Sequence, residues 1–479
     1  MHPTSLLRIG KRIAAIVLAL FLFLQLSKST KKLLTSPDVA EEKLKIKASQ
    51  EPVKGKLLDY KNVTLMPWKP RASFSDHPQV TYLNGHRGCN ENMHGIMMHL
   101  KLNFKVLNPR KVARYGMTEA EAKELINSGF ISSLCNQSDV IIVADTLPDA
   151  RGLLLSLLDP DESKRCKSNI IVESTNRFNW MVDDHREYNQ MLLNLTENPP
   201  RNLFWTANNP FEEVYFRMRV GKSPKFTLLR SLGAWNVDPS NNPQNMTSVN
   251  PKLKAKTTDP SKSIAFINNV DPDRHPKVLQ LLKLHQHLDK HLTLLPKHYG
   301  GPHTLLQYKG FLDFPYQVSV MKFYENIAFG VPQLLPTPRF LKAIAKDAGY
   351  HHLFSHWLNK LEEASVFLKD PAKHAQLFEK GAFKSTDEED ADDQRHFTKL
   401  DGHYTASWTE LSDFYSHEFE PFIYYFDSFK ELKKMMDTPF EEFDFMSVRV
   451  EGPKYYAKVR NHSLETWTEL FRGLGYNNK

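Results

Sequence analysis

The chain reads as an α/β protein built from two doubly wound units, each a parallel sheet with helices on both faces. Three observations predict this. Strand-like apolar runs alternate with helix-like ones from Val80 onward, the pattern of βαβ units. The alternation stops over residues 236–262, which hold four prolines among polar residues, a linker composition. It restarts at Ser263. With 479 residues, 41% hydrophobic and 25% charged, the chain has the length for two ordinary domains and the composition of a globular protein.

Taken in order, residues 1–12 form a short basic tail. Residues 13–27 carry no charge and lie between Arg8, Lys11 and Arg12 on one side and Lys28, Lys31 and Lys32 on the other. A full membrane span needs about 20 apolar residues, and flanking basic side chains snorkel to extend a shorter one. The segment reads as an uncleaved signal-anchor, because basic residues crowd Ser27-Lys28-Ser29. A cleaved signal peptide is the alternative. Residues 28–75 are lysine-rich and read as a stem. Sequons at Asn62, Asn136, Asn194, Asn245 and Asn461 all follow the apolar segment, which places the body in the lumen. The expected location is the Golgi or endoplasmic reticulum membrane, as a single-pass type II protein.

Residues 76–235 form the first Rossmann-like domain, with strands expected at 80–83, 104–107, 140–144, 170–173, 203–206 and 226–229. Helical patterns fall between most of them, for example at 119–127 and 184–195. Residues 263–440 form the second, with strands at 263–268, 292–295 and 331–335, helices at 277–288 and 318–330, and a strand-then-helix run at 421–436. The acidic stretch 387–393 reads as a solvated loop, and residues 441–479 as a C-terminal helical segment.

The formal charge of +8 and pI near 9.0 suit an anionic ligand or membrane surface. The charges are spread along the chain instead of forming one basic block, so nucleic acid is not an expected partner. Three cysteines, Cys89, Cys135 and Cys166, allow one disulfide with one thiol left over, or three thiols.

The chemistry concentrates in three places. Residues 318–340 read VSVMKFYENIAFGVPQLLPTPRF. On a helix, Ser319, Lys322 and Glu325 or Asn326 share one face of an otherwise apolar surface. Gly330 fits the C-terminal stop, Pro332 prevents continuation, and Thr337-Pro338 starts the next helix. The plain alternative pairs Lys322 with Glu325 at i,i+3 on an exposed stripe. In the turn after 263–268, Asp271-Pro-Asp273-Arg274 offers a cap and a guanidinium for an anion. After the first strand comes Asn84-Gly85-His86-Arg87-Gly88-Cys89, a glycine-flanked loop open to close approach. His86, Asp145 and Glu173 are polar residues at the strand ends of this half, positions that any doubly wound sheet fills with polar side chains. No P-loop, G-x-S-x-G or paired C-x-x-C occurs, and His352 and His356 lack the H-E-x-x-H context of a zinc site.

The run Lys322-Phe-Tyr-Glu325-Asn-Ile-Ala328-Phe-Gly330-Val-Pro332 resembles the donor-site helix of the GT-B superfamily of glycosyltransferases, over roughly residues 310–345. The resemblance implies a type II membrane glycosyltransferase that uses a nucleotide-sugar donor and a glycan, glycoprotein or lipid acceptor. Glu325 then takes the ribose hydroxyls and Lys322 the diphosphate side, with Arg274, Ser319, Asn326 and Gly330 in the same donor set. The resemblance also implies a general base from the first domain, in the order His86, Asp145, Glu173. No cofactor is expected beyond the donor. Gln317 stands where many retaining members carry the first glutamate of an E-x7-E motif, so the stereochemical outcome is open. A fucosyltransferase-like inverting enzyme is a refinement, although Met321 stands before Lys322 where that subgroup has an acidic residue. Other readings are a metal-dependent GT-A enzyme using Asp159-Pro-Asp161 or Asp271-Pro-Asp273, and a non-catalytic membrane-tethered sugar-binding or scaffold protein.

Overall fold

The computed structural model describes residues 78–109, 116–233, 263–268, 275–346, 363–379, 411–439 and 445–476, apart from a few positions inside those spans. The readings of the tail, anchor and stem, of Asn62 and Asn245, of the linker, of Asp271, Asp273 and Arg274, of His352 and His356 and of the acidic run lie outside the described residues. Among the described residues no helix is long and apolar enough to cross a membrane.

The first sheet has six parallel strands: β1 (Val80–Leu83), β2 (Phe104–Leu107), β3 (Val140–Ala144), β4 (Asn169–Ser174), β5 (Leu203–Ala207) and β6 (Phe226–Leu228), in the order β2-β1-β3-β4-β5-β6. β3 (VIIVA) is buried at every position, and β4 at all but its first. Strands covered on both faces are continuous apolar runs, which is why these were readable. Around them lie α1 (Arg87–Leu100), α2 (Glu119–Asn127), α3 (Phe130–Asn136), α4 (Arg151–Ser156), α5 (His185–Glu197) and α6 (Pro210–Val220). Thr118 and Glu121 form a reciprocal capping box on α2, satisfying two otherwise orphan groups. A disulfide joins Cys135 to Cys166 and leaves Cys89 as a buried thiol.

The second sheet has five parallel strands: β7 (Ile264–Asn268), β8 (Leu292–Pro296), β9 (Gly310–Leu312), β10 (Gln333–Pro336) and β11 (Ile423–Phe426), in the order β8-β7-β9-β10-β11. Its helices are α7 (His275–Leu284), α8 (Pro302–Leu305), α9 (Met321–Phe329), α10 (Pro338–Lys346), α11 (Pro371–Glu379) and α12 (Phe429–Asp437). β9 is absent from the sequence expectation, and α9 starts three residues later than expected because Val320 is extended (φ −142°).

The last helix, α13 (Phe445–Gly473), runs across both halves. Pro453 within it cannot donate to the Arg449 carbonyl, and that carbonyl lies against Gly330, where a Cβ would meet it at 2.6 Å. Gly330 caps α9 with φ +69°. Farther along, Leu464, Trp467 and Phe471 are buried with Val80, Tyr82, Cys89, Met93 and Ile96 of the first half. One helix thus packs on α9 at its start and on β1 and α1 at its end.

Candidate functional site

In a doubly wound sheet, ligands bind beyond the carboxyl ends of the strands, where the strand order reverses. The reversals fall between β1 and β3 in the first sheet and between β7 and β9 in the second. Of the expected site residues, His86, Asp145 and Glu173 lie at the first of these edges and Lys322 and Glu325 at the second.

At the first edge, His86 is the N-cap of α1, and its Nδ1 accepts from the Cys89 amide at 3.4 Å. Asn84 fixes the loop: its Oδ1 accepts from the His86 amide at 3.1 Å and its Nδ2 donates to the His86 carbonyl at 2.8 Å. Asp145 follows β3 in the left-handed region (φ +62°), a conformation that costs a non-glycine residue about 1 kcal/mol. The ligating atoms of His86, Cys89 and Asp145 all lie within 4.8 Å of one another. Behind them the Tyr82 hydroxyl lies 3.2 Å from Glu173 Oε2 and 3.3 Å from the Cys89 carbonyl. Burial raises the Glu173 carboxyl to about 7; the Tyr82 hydrogen bond opposes this and the charge of Asp145 adds to it. All three residues expected to supply a base therefore stand at one sheet edge, linked through Tyr82 and Cys89.

At the second edge, Lys322 does not pair with Glu325. Its ammonium lies 3.1 Å from Asp313, the residue directly after β9, and 4.6 Å from the centre of the Phe311 ring. The charge within an apolar helix is answered by a carboxylate at a strand end. Glu325 is half-buried and its side chain lies over Gly233, where a Cβ would sit 2.6 Å from Glu325 Cγ. Tyr299, beyond β8, is within electrostatic reach of both acids: burial raises its hydroxyl, and Glu325 and Asp313 raise it further. Ser319 precedes α9 and donates to the Tyr324 hydroxyl at 3.3 Å. Asn326 is fully buried and donates to Gln333 at 3.1 Å, a partner inside the fold. Gly330 sits at the far end of α9 against α13.

The two edges meet. The Met321 sulfur, in the first turn of α9, lies 3.4 Å from where a Gly88 Cβ would be, and no side chain caps that helix start. Asn92 of α1 accepts from the Leu232 amide at 2.7 Å and from the Ser231 hydroxyl at 3.1 Å, which holds Gly233 beneath Glu325. Beside this junction Arg230 bonds Asp413, donates to Glu418 at 2.9 Å and stacks over Phe419. Tyr324 donates to the same Asp413.

Asp159 and Asp161 lie elsewhere. Their carboxylates accept the amides of Asp161 and Ser163 at 2.8 and 3.0 Å in a turn beyond α4. Since α4 runs back from the carboxyl edge, the turn lies at the opposite edge of the sheet. Asn136, Asn194 and Asn461 are exposed.

Tyr82, Asp313, Tyr299, Arg230 and Asp413 were not foreseen. Asp313 carried a signal, a carboxylate directly after the apolar triplet Gly310–Leu312; the others carried none without the topology.

No family model matches the sequence, and no curated protein does. Among solved structures the chain resembles Anabaena Alr3699/HepE in complex with UDP and glucose, with 9% identity and a TM-score of 0.40, over 82% of this chain and 99% of that one. The likeness is distant.

Proposed function

We propose that the protein is a glycosyltransferase that moves a sugar from a nucleotide-sugar donor to a hydroxyl of a glycan, glycoprotein or lipid in the secretory pathway. The observation that carries this is the meeting of the two sheet edges, with the first turn of α9 against the 84–89 loop. One edge holds a lysine and a glutamate one helical turn apart on α9; the other holds groups that accept a proton.

In this reading Glu325 accepts hydrogen bonds from the ribose hydroxyls, each worth about 1.5–3 kcal/mol because the acceptor is charged. The donor diphosphate competes with Asp313 for Lys322, and the uncapped amides of α9 add a positive end. The acceptor oxygen attacks the anomeric carbon, the bond from that carbon to the phosphate oxygen breaks, and the nucleoside diphosphate leaves. The acceptor proton passes to the cluster of His86, Asp145 and Glu173. Cationic groups offset the charge that develops on the leaving diphosphate. The Cys135–Cys166 disulfide and the three exposed sequon asparagines support an oxidising, lumenal setting.

The test is a thermal-shift panel with GDP, UDP and their sugars. At least one stabilises the wild-type protein. Glu325→Ala removes that shift while its far-UV circular dichroism stays that of the wild type. Unchanged nucleotide affinity in the variant refutes the ribose role, and no shift with any nucleotide favours the scaffold reading.

A further inference from the structure

We propose that His86, Cys89 and Asp145 form a binding site for one thiophilic divalent metal ion of the zinc type, at the mouth of the first sheet. The three side chains come from two separate strand ends: the loop after β1 supplies His86 and Cys89, and the end of β3 supplies Asp145. Sequence distance does not bring them together; the pairing of β1 with β3 does.

The spacing matches a coordination shell. Zinc sits about 2.0–2.1 Å from an imidazole nitrogen and about 2.3 Å from a thiolate, so two such ligands at a tetrahedral angle stand about 3.5 Å apart. His86 Nδ1 and Cys89 Sγ are 3.4 Å apart, and the carboxylate of Asp145 falls within 4.8 Å of both; ligation exchanges the long 3.4 Å bond that Nδ1 accepts from the Cys89 amide for a bond to the ion. The donor set is a thiolate, an imidazole and a carboxylate. That mixture selects a borderline-soft ion over magnesium or manganese, which favour oxygen ligands alone.

The surroundings are those of a supported site. The 84–86 backbone is held by both ends of the Asn84 amide, and the Cys89 carbonyl accepts from Tyr82. Cys89 is the third residue of α1, where the helix dipole favours the thiolate form a metal requires. Asp145 is buried and held in a left-handed conformation, the kind of local strain that surrounding structure maintains at functional positions. Three protein ligands leave a fourth position for water or a substrate oxygen. The proposal stands on the ligand geometry; only the use of that fourth position by an acceptor hydroxyl rests on the transferase reading, and with the ion bound Glu173 is the one of the three base candidates left to take the proton.

The purified full-length chain is stripped with a chelator and titrated with Co²⁺ in the absence of nucleotide. The expected result is one ion per chain and a thiolate-to-cobalt charge-transfer band, bleached by an equivalent of Zn²⁺, with a rise in melting temperature. Cys89→Ser abolishes the band. Asp145→Asn keeps the shape of the side chain, so the fold persists, and weakens Zn²⁺ affinity by at least the roughly 10–100-fold that loss of an outer-shell partner costs. The absence of stoichiometric metal in the wild-type chain overturns the proposal, as does a band that survives Cys89→Ser. Because no donor is present, failure of the nucleotide panel leaves this outcome independent.

Discussion

Arg230 and Asp413 stand 183 residues apart in sequence and join the end of the first sheet to the segment that leads into β11. Their side chains are 9% and 1% exposed, so replacing Arg230 with methionine keeps much of the volume and strands a buried carboxylate. Burial pushes the Asp413 carboxyl above the usual carboxylate range, and Arg230, Ser319 and Tyr324 pull it down without reversing that. For Arg230, burial works against the charge, and Asp413, Tyr324 and Glu418 more than offset it. Without the guanidinium, Asp413 escapes by taking up a proton. Holding a carboxyl neutral at pH 7 against an unfolded-state pKa near 3.9 costs about 4 kcal/mol, at 1.36 kcal/mol per pH unit. That ceiling agrees with the roughly 3–5 kcal/mol found on breaking buried ion pairs.

The sign is fixed by linkage. In Arg230→Met the folded state binds the proton more readily than the unfolded state, so the penalty grows as pH rises above the unfolded pKa. Because the wild-type carboxyl already carries part of that penalty, denaturant titrations followed by tryptophan fluorescence should give a loss of about 2–4 kcal/mol at pH 7 and a smaller one, about 1.5 kcal/mol at most, at pH 5. The double variant Arg230→Met/Asp413→Asn removes both charges and should recover at least about 2 kcal/mol of the pH 7 loss. An equal loss at the two pH values, or a loss under about 1 kcal/mol at pH 7, refutes the buried-pair argument.

How much of this was legible depends on the range over which each feature is determined. The first sheet was readable because β3 and β4 are continuous apolar runs, and a strand buried on both faces needs no partner information to be recognised. β9 was not, because three residues beginning with glycine carry too little pattern, and with it Asp313 was lost. The polar stripe of α9 was seen, but its explanation was local where the true partner is not. Helical spacing offers Lys322 only Glu325, whereas the lysine is held by a carboxylate on the neighbouring strand end. Ser319 illustrates the same limit: projection on a helix places it beside Lys322, yet an extended Val320 puts it before the helix, under the Tyr324 hydroxyl. In the sequence His86, Asp145 and Glu173 are three separate polar residues at strand ends. Only the strand order makes them neighbours, and only the fold adds Tyr82 and Cys89 between them.

Three further outcomes follow from packing and charge. Gly330→Ala places a methyl 2.6 Å from the Arg449 carbonyl oxygen on a backbone with φ +69°, and thermal melts should show a loss of more than about 2 kcal/mol. Burial lowers the His303 imidazole to about 4, so the unfolded chain takes up a proton near pH 6.5 and the folded one near pH 4. Stability therefore falls as pH drops through that window, by about 1–2 kcal/mol once partial exposure is allowed for, and His303→Leu flattens that part of the pH profile. Trp467 is 1% exposed and packs in the cluster that contains Tyr82 and Cys89, so Trp467→Ala should cost about 3–5 kcal/mol. It should also loosen the support under the 84–89 loop while leaving Glu325 and its strand ends in place. Hydrogen exchange distinguishes this from a general loss of stability: protection should drop at β1 and α1 before it drops at β9 and β10. A uniform drop across both sheets would mean that the end of α13 does not serve the first edge in particular.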